Sequence, residues 1–332
     1  MFQLPLFVSF PMTEKEQYRQ LCDTHSDVPL FLQHWWLETV CEGKQWDVLL
    51  YRNGEGVVQA AMPFLIGKRL GFKYIVQPQL TQYNGVWYFR TNFKNENERL
   101  SFEKKACQYF IDKIKCLGIS YFNQNFPTAF TNWLPFYWNG YRQTTRYTYQ
   151  IPDISDLDAV FAAMDKKRHQ SKILALQDKY RVAFDLTPEV FYDFHARYWH
   201  GRGGEEMLPR KFVIDLCNAA LARGQGLLAG LYDADNCLVA AYFVAYDSTT
   251  AYALMSAFDK QKNENGMTAL LVWNIIKKMT GRVQTFDFEG SMDENVEYSF
   301  RYYGTKQVPY FQIVKSNSRI FDLLLWLKKH FG

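Results

Sequence analysis

The sequence has few cysteines, and none of them show the spacings that bind zinc. No CxxC pair occurs, and no group of histidines lies beside a cysteine. Structural zinc sites need such groups, and secreted disulfide-rich domains carry cysteines at higher density. We therefore expect a reduced intracellular protein without a structural zinc. The six cysteines are Cys22, Cys41, Cys107, Cys116, Cys217 and Cys237.

Long apolar runs and a strong excess of one charge are also missing. The start, MFQLPLFVSFPM, has no basic region or small-residue cleavage site, so no signal peptide is predicted. The end, RIFDLLLWLKKHFG, is too short to span a bilayer and predicts a docking helix, with contact to a membrane surface as the alternative. A net charge of +4 confines any polyanion site to a local patch. We expect a soluble cytoplasmic protein.

Common catalytic motifs are absent as well. The chain has no GxSxG, Walker or dinucleotide-binding motif. His195, Trp199 and His200 share a predicted helix, but without the HxxxH spacing of a metal site, so no metal is expected. Aromatic residues, in contrast, reach 17% of the chain, which indicates aromatic cores or aromatic-lined grooves.

Two halves of the chain repeat one pattern of predicted elements. Each half runs through helices, an antiparallel hairpin, a helix, a strand and an aromatic corner with a glycine. Each ends in a similar strand, YTYQI in the first half and PYFQI in the second. Because 332 residues also exceed the usual size of one core, we predict an α/β protein of two duplicated domains, residues 1–152 and 153–332.

Local signals predict several individual elements. Thr13 and Glu16 have the spacing of a capping box at the start of a helix, and Asn53-Gly54 joins two apolar runs as a hairpin would. Residues 157–180 predict one long basic helix. On its surface Arg168 and Lys172 are four residues apart, with Lys167 beside them. This basic patch predicts either a polyanion-binding surface or a solvated helix face.

Two acids interrupt an aromatic strand at TFDFEG, residues 285–290. Alternation places Asp287 and Glu289 on one face, while Phe286 and Phe288 take the core. The acids then face a cleft, where burial would raise their pKa towards that of a general base, or solvent. In the solvent alternative Asp287 pairs with a basic side chain and Glu289 is hydrated. The first half has amides at the corresponding YFNQNF, and an amide cannot remove a proton.

Two further features lie near this strand. The helix that starts near Gly266 offers free N–H groups to an anion such as a phosphate, although many helices start so without a ligand. Tyr303 precedes Gly304 at a helix end, where it could donate a proton to a leaving group or simply pack in a corner.

Several short stretches resemble one known family. PLFLQHWWLETV and AAMPFLIGKRLGF are similar to the N-terminal half of the Fem aminoacyl transferases and of related acetyltransferases with a double GNAT fold. FDFEGS, FRYYG and VPYF are similar to the C-terminal half of the same group. The resemblance implies tandem GNAT-like domains, each a mixed, mostly antiparallel sheet flanked by helices. It also implies a first domain that binds the acceptor or is structural.

The resemblance further implies where a donor binds. An acyl or aminoacyl donor would enter a V-shaped gap between TAYALMSAF and VQTFDFEG, and an amine would attack it without a covalent enzyme intermediate. QKNENGM lacks the Arg/Gln-x-x-Gly-x-Gly/Ala loop of acetyl-CoA enzymes, so the donor is either an acyl-CoA co-substrate or an aminoacyl-tRNA, and no tightly bound cofactor is expected. The implied donor-binding residues are Ser256, Ala257, Phe258, Asn265, Gly266 and Met267.

The resulting hypothesis is an N-acyltransferase. Backbone N–H groups of residues 256–258 polarise the donor carbonyl, and Glu289 or Asp287 accepts the proton of the attacking amine. The acceptor would carry an amine, as a cell-wall precursor or a glycan can. The alternatives are a GNAT-fold protein that binds a glycan or peptide without chemistry, and a tRNA-binding protein that uses Lys167 and Arg168.

Overall fold

The computed structural model describes residues 12–199, 207–262, 264–290 and 292–331. Residues 1–11 and His200 lie outside these ranges, so what was expected of them stays a prediction. Among the described residues, no helix is long and apolar enough to cross a membrane.

Strands from both halves join in one sheet. The order across it is β1-β2-β3-β5-β12-β6-β11-β10-β9-β8-β7, with β4 beside β2. The predicted α/β class with a mixed, mostly antiparallel sheet is confirmed. The strands are β1 (Gln45–Arg52), β2 (Val58–Arg69), β3 (Phe72–Val76), β4 (Trp87–Tyr88), β5 (Ile119–Asn125), β6 (Arg142–Ile151), β7 (Arg181–Ala183), β8 (Gly226–Tyr232), β9 (Leu238–Tyr246), β10 (Thr250–Phe258), β11 (Thr285–Asp287) and β12 (Lys306–Ser316).

Helices cover both faces of the sheet, together with a 3₁₀ turn at Leu30–Leu32 and a π-helical turn at Lys166–Gln170. The helices are α1 (Glu14–Thr24), α2 (His34–Val40), α3 (Glu96–Cys116), α4 (Leu134–Trp138), α5 (Leu157–Ala163), α6 (Ser171–Leu176), α7 (Pro188–Arg197), α8 (Arg210–Ala222), α9 (Met267–Met279), α10 (Glu294–Arg301) and α11 (Arg319–Phe331).

Local sequence signals are confirmed where the chain folds on itself. Thr13 and Glu16 form the capping box of α1. The turn at Asn53 joins β1 to β2, and the Asn53 side chain accepts the Glu55 and Val57 N–H groups. The prediction of one long helix over residues 157–180 was wrong. Met164 is extended and Asp165 caps the next turn, so α5 ends there, and the π-helical turn then continues directly into α6.

The two halves have the same topology and exchange their last strands. In the first half β3 lies parallel to β5, and in the second half β10 lies parallel to β11. The last strand of the first half, β6, pairs with β11, while the last strand of the second half, β12, pairs with β5. The exchanged strands also pair with each other, from Lys306 opposite Gln150 to Val314 opposite Arg142. The division at residue 152 stays a prediction, since each half completes the sheet of the other.

One of the hydrophobic cores joins the halves directly. Phe31, from the 3₁₀ turn of the first half, is fully buried, and its ring centroid lies 4.6 Å from that of Tyr252 on β10. The ring of Phe31 also packs edge-on against the rings of Trp36 and Tyr83, with centroid distances of 5.2 and 5.1 Å. Aromatic contacts of this kind dominate the energetics of cores, so the two halves are expected to unfold together.

Replacing Phe31 tests this shared core. Phe31→Ala leaves a cavity between the halves and should lower the free energy of unfolding by about 3–5 kcal/mol in a single transition. Chemical denaturation followed by circular dichroism and tryptophan fluorescence measures it. Tyr137→Ala, at a residue that is 58% exposed, is the control and should change stability by less than about 0.5 kcal/mol. Two separate transitions in the Phe31 variant would contradict the shared core.

Candidate active site

Asp287 is the last residue of β11, and hydrogen-bond donors surround its buried carboxylate. Its Oδ1 accepts the Thr148 hydroxyl and, at 2.7 Å, the Glu289 backbone N–H. Its Oδ2 accepts the Gln150 side-chain amide at 2.8 Å. Burial raises the pKa of Asp287 to about 6, while these hydrogen bonds lower it. At neutral pH Asp287 is therefore ionised and close to the pKa that suits a general base.

Glu289 is the second acid of the pair, and its backbone leaves the strand. Its φ is +62°, in the left-handed region, so the alternation of the strand ends at Asp287. Its Oε1 is buried and has no hydrogen-bond partner in the described chain. Burial, and then the charge of Asp287, raises the pKa of Glu289 well above its usual value. Its surroundings thus favour the neutral form of Glu289.

These positions correct part of the sequence-based prediction. The strand ends three residues short of the predicted Gly290, and Asp287 is buried and Glu289 half-buried, which excludes the solvent alternative for Asp287. The alternative in which Asp287 pairs with a basic side chain is also wrong, because no ion pair joins either acid to a Lys or Arg of the described residues. Phe286 and Phe288 lie in the core, as predicted.

Gly290 holds the turn after the acids against β6. Its φ is +53°, and a Cβ at this position would lie 2.1 Å from the Tyr147 carbonyl oxygen and 2.4 Å from the Thr148 Cα. No residue with a side chain fits there without moving the backbone of β6. The glycine therefore fixes Glu289 beside the strand that supplies Thr148.

A V-shaped gap opens between β10 and β11 at Asp287. The strands pair from Thr250 opposite Thr285 to Tyr252 opposite Asp287, and no further. Beyond that point a bulge at Leu254 shifts β10 against β9, while the Phe288 N–H donates to the Tyr149 carbonyl of β6 at 2.9 Å. The gap lies where the family resemblance places it, with the ionised carboxylate at its apex.

A cavity of about 380 Å³ adjoins this gap on the side of the sheet that α9 covers. It brings together residues that the sequence analysis predicted as separate groups. From the predicted donor site it is lined by Phe258, Asn265 and Gly266, from the basic patch by Arg168 and Lys172, and from the predicted catalytic group by Tyr303.

The N-terminus of α9 points its free N–H groups at this cavity. The Met267 N–H is already bonded to the Glu264 carbonyl at 3.1 Å. The next two, on Thr268 and Ala269, bond to no group of the described chain, and both residues line the cavity. Free N–H groups at the positive end of a helix dipole stabilise an anion.

Two basic side chains reach the same place. The Arg168 guanidinium lies over the rings of Tyr298 and Tyr302, at 5.0 and 4.6 Å from their centroids. Gly266 lets α6 pack closely on α9, because a Cβ there would lie 2.6 Å from the Lys172 Cβ. The cavity thus combines a helix N-terminus with two cations, which is the chemistry of a phosphate site. Lys167 is exposed and does not line it.

The remaining predicted residues divide between cavity and core. Tyr303 is buried, and burial raises the pKa of its phenol well above the usual value. Its ring centroid lies 4.8 Å from the ring centroid of Phe288, the residue between Asp287 and Glu289. Ala257 and Met267 pack in the core, and Ser256 is exposed outside the cavity. The side chains of these three residues do not line the cavity, and the role predicted for the backbone N–H groups of residues 256–258 stays a prediction.

Sequence analysis missed four residues of the site. Thr148 and Gln150 bind Asp287 from β6, and the Gln82 amide lies beside the same carboxylate and lowers its pKa. His169 lines the cavity with its ring centroid 4.1 Å from that of Tyr303, and neither of its ring nitrogens has a partner in the described chain. The repeated YTYQI and PYFQI strands gave the available signal for Thr148 and Gln150. No group of three or more His, Cys, Asp or Glu among the described residues could hold a metal ion.

The comparisons with known proteins agree with this geometry. Residues 142–298 match the model of a family described as acetyltransferase (GNAT) domain. The match begins at β6 and covers most of the second half of the chain. A search of curated protein sequences finds no significant match.

Solved structures extend the likeness to the whole chain. FemX aligns with a TM-score of 0.66 at 12% identity, over 91% of this chain and 96% of FemX. A conserved protein of unknown function from Bacteroides thetaiotaomicron aligns with a TM-score of 0.57 at 10% identity, over 93% and 99%. The C-terminal domain of a putative lysylphosphatidylglycerol synthetase from Agrobacterium fabrum aligns at 0.52 and 13% identity, over 94% and 95%. The predicted resemblance to Fem-type and related double-GNAT proteins is confirmed.

The raised pKa of Asp287 makes stability depend on pH. Because the folded pKa lies above the unfolded one, the folded state binds more protons between pH 4 and pH 6, so burying Asp287 destabilises the protein progressively as the pH rises through this window. Asp287→Asn removes the titration. The difference in the free energy of unfolding, variant minus natural protein, should increase by on the order of 3 kcal/mol between pH 4 and pH 7. Urea denaturation at each pH measures it, and parallel curves for the two proteins would contradict a raised pKa.

Proposed function

We propose that this protein is an N-acyltransferase that moves an acyl or aminoacyl group from an ester or thioester to an amine. The observation that carries the proposal is the gap between β10 and β11. A cavity with anion-binding groups lies on one side of it, and an ionised, buried carboxylate lies at its apex on the other side. A donor entering from the cavity and an amine entering from the opposite face would meet in the gap.

The donor proposed for the cavity carries phosphate. The α9 N-terminus, Arg168 and Lys172 suit a phosphate, and an ester or thioester at the other end of the donor would reach the gap past Phe258 and Tyr303. Both acyl-CoA, as a co-substrate, and aminoacyl-tRNA have this combination. The matched family is an acetyltransferase family, which supports an acetyl donor, and the fold shared with FemX is compatible with either donor.

The proposed reaction needs one base and one acid. The amine nitrogen bonds to the donor carbonyl carbon, and its surplus proton passes to Asp287, directly or through a water. The carbon–sulfur or carbon–oxygen bond then breaks, and Tyr303 supplies a proton to the leaving group and regains one from solvent. Backbone N–H groups of residues 256–258, on the side of β10 that no longer pairs with β11, stabilise the carbonyl oxygen during attack. Glu289 is the second acid of the pair, and its unpartnered Oε1 is available for a hydrogen bond with the reacting group.

Substitution of the acids tests the assignment. Asp287→Asn should slow transfer by about 10²-fold to 10⁴-fold, since general base catalysis contributes a factor of this size. Glu289→Gln should slow transfer less, because glutamine keeps hydrogen-bonding groups at this position. The measurement is single-turnover transfer from acetyl-CoA, and from aminoacyl-tRNA, to an amine. Asp185→Asn, at an exposed acid, is the matched control. Full activity in both site variants, with folding verified by circular dichroism, would end the assignment.

Charge removal at the cavity separates the two donors. Arg168→Gln and Lys172→Gln should each weaken donor binding about tenfold and reduce its salt dependence, because each removes a cation from the phosphate site. Lys167→Gln changes an exposed neighbour outside the cavity. It should leave acyl-CoA binding unchanged, but it should weaken aminoacyl-tRNA binding, because a long polyanion extends beyond the cavity. Unchanged donor binding in the Arg168 and Lys172 variants would place the donor elsewhere.

A further inference from the structure

The face of the sheet that carries Asp287 continues as a polar trough over the exchanged strands. Gln150, Thr148 and Arg146 alternate along β6 and therefore share this face with the Asp287 carboxylate. Across β12 the same face carries Tyr310, opposite Arg146, and Gln312, opposite Asn125 of β5. We call Asn125, Gln312, Tyr310, Arg146 and Thr148 the central trough.

The central trough and its walls contain several buried polar atoms without partners. In the described chain Arg146 Nε and Asn125 Oδ1 make no hydrogen bond. The same holds for Glu289 Oε1 at one end. Unpartnered polar atoms destabilise a folded protein, and here they converge on one surface next to a buried acid pair. A ligand rich in hydrogen-bonding groups would satisfy them.

Charge adds a second requirement for the ligand. Arg146 forms no ion pair with any acid of the described residues. Burial raises the pKa of Tyr310, a hydrogen bond from Arg146 and the charge of its guanidinium lower it, and the charges of Glu289 and Asp287 raise it, so all four groups lie close together. One end of the trough therefore carries an acid pair and the middle carries a cation. Arg146 and Thr148 are two residues apart on a strand, a separation of roughly 7 Å.

We propose that the central trough binds the acceptor of the reaction, and that this acceptor carries a carboxylate as well as its amine. The ammonium lies at Asp287 and Glu289 and releases one proton to solvent to become the neutral amine, Asp287 then takes the second proton when the amine attacks, and the carboxylate accepts hydrogen bonds from Arg146. The ligand class is a short peptide with a free N-terminus and a free C-terminus, because a C-terminal carboxylate at Arg146 and an N-terminal ammonium at the acid pair are held apart by the Thr148 position of β6. The role as acceptor rests on the proposed function, whereas the binding itself does not.

Matched peptides test the trough without any donor. Diglycine, triglycine and tetraglycine are compared with their C-terminal amides, which lack only the negative charge. Binding to the full chain is measured by calorimetry or by ligand-observed NMR. At least one of the acids should bind about tenfold more tightly than its amide, the factor that one charge-assisted hydrogen bond supplies. Equal binding of acids and amides would overturn the proposal.

Variants assign the preference to Arg146. Arg146→Met should abolish the preference for the acids, and Arg146→Lys should keep part of it, because lysine retains the charge but not the planar fork. Arg69→Met removes the same charge at an exposed position of the β2–β3 hairpin and should keep the full preference. If Arg146→Met does not fold, the lysine variant decides, and an undiminished preference in it would overturn the role of Arg146.

Transfer measurements keep the two proposals distinguishable. If the acids bind preferentially but accept no group from acetyl-CoA or aminoacyl-tRNA, the trough stands and the proposed function fails. If transfer occurs equally well to acids and amides, the proposed function stands and the carboxylate subsite fails. Preferential transfer to the acids, lost in Arg146→Met and kept in Arg69→Met, supports both.

Discussion

The hydrogen bonds from β6 to the Asp287 carboxylate are the interaction on which the rest of the structure depends. A buried carboxylate stays ionised near neutral pH only when donors surround it, and Thr148 and Gln150 supply two of them. Both residues belong to the first half of the chain, whereas Asp287 belongs to the second. The exchange of β6 and β12 is therefore more than a way to extend the sheet, because it completes the site of one half with side chains of the other.

The same strand also opens the gap. After Asp287 the chain bonds to β6, through the Phe288 N–H and the close contact of Gly290 with Tyr147, and so it moves away from β10. Glu289 takes a left-handed conformation to make that turn. The same turn of the chain after Asp287 therefore both pairs it with β6 and separates it from β10. Its result is an acid pair at the apex of an opening that connects the two faces of the sheet.

Much of this arrangement could be predicted from local sequence, and the remainder could not for a physical reason. A few adjacent residues are enough to predict the capping box at Thr13, the hairpin at Asn53, the repeated halves and the acid pair at Asp287 and Glu289. The partners of Asp287 lie about 140 positions away in sequence, and only the register of β6 against β11 brings them together. The long basic helix failed because helical periodicity does not reveal a break such as the one at Met164 and Asp165.

The first half explains why chemistry would be confined to the second. Gln312 lies opposite Asn125 as Gln150 lies opposite Asp287, so Asn125 is the structural counterpart of the acid. Residues 77–84 cover Asn125 and bond to it three times. The Gln77 side-chain oxygen accepts the Asn125 N–H at 3.0 Å, and the Asn84 N–H donates to the Asn125 carbonyl at 2.7 Å. The Asn125 side-chain amide donates to the Gln82 carbonyl at 2.9 Å. A neutral amide tolerates such closure because it carries no charge to desolvate. The same segment also contacts the second half. Gln82 lies beside Asp287, and the Tyr83 hydroxyl is hydrogen-bonded to the Tyr252 hydroxyl at 2.7 Å. The segment that covers Asn125 in the first half therefore forms one wall of the gap in the second half.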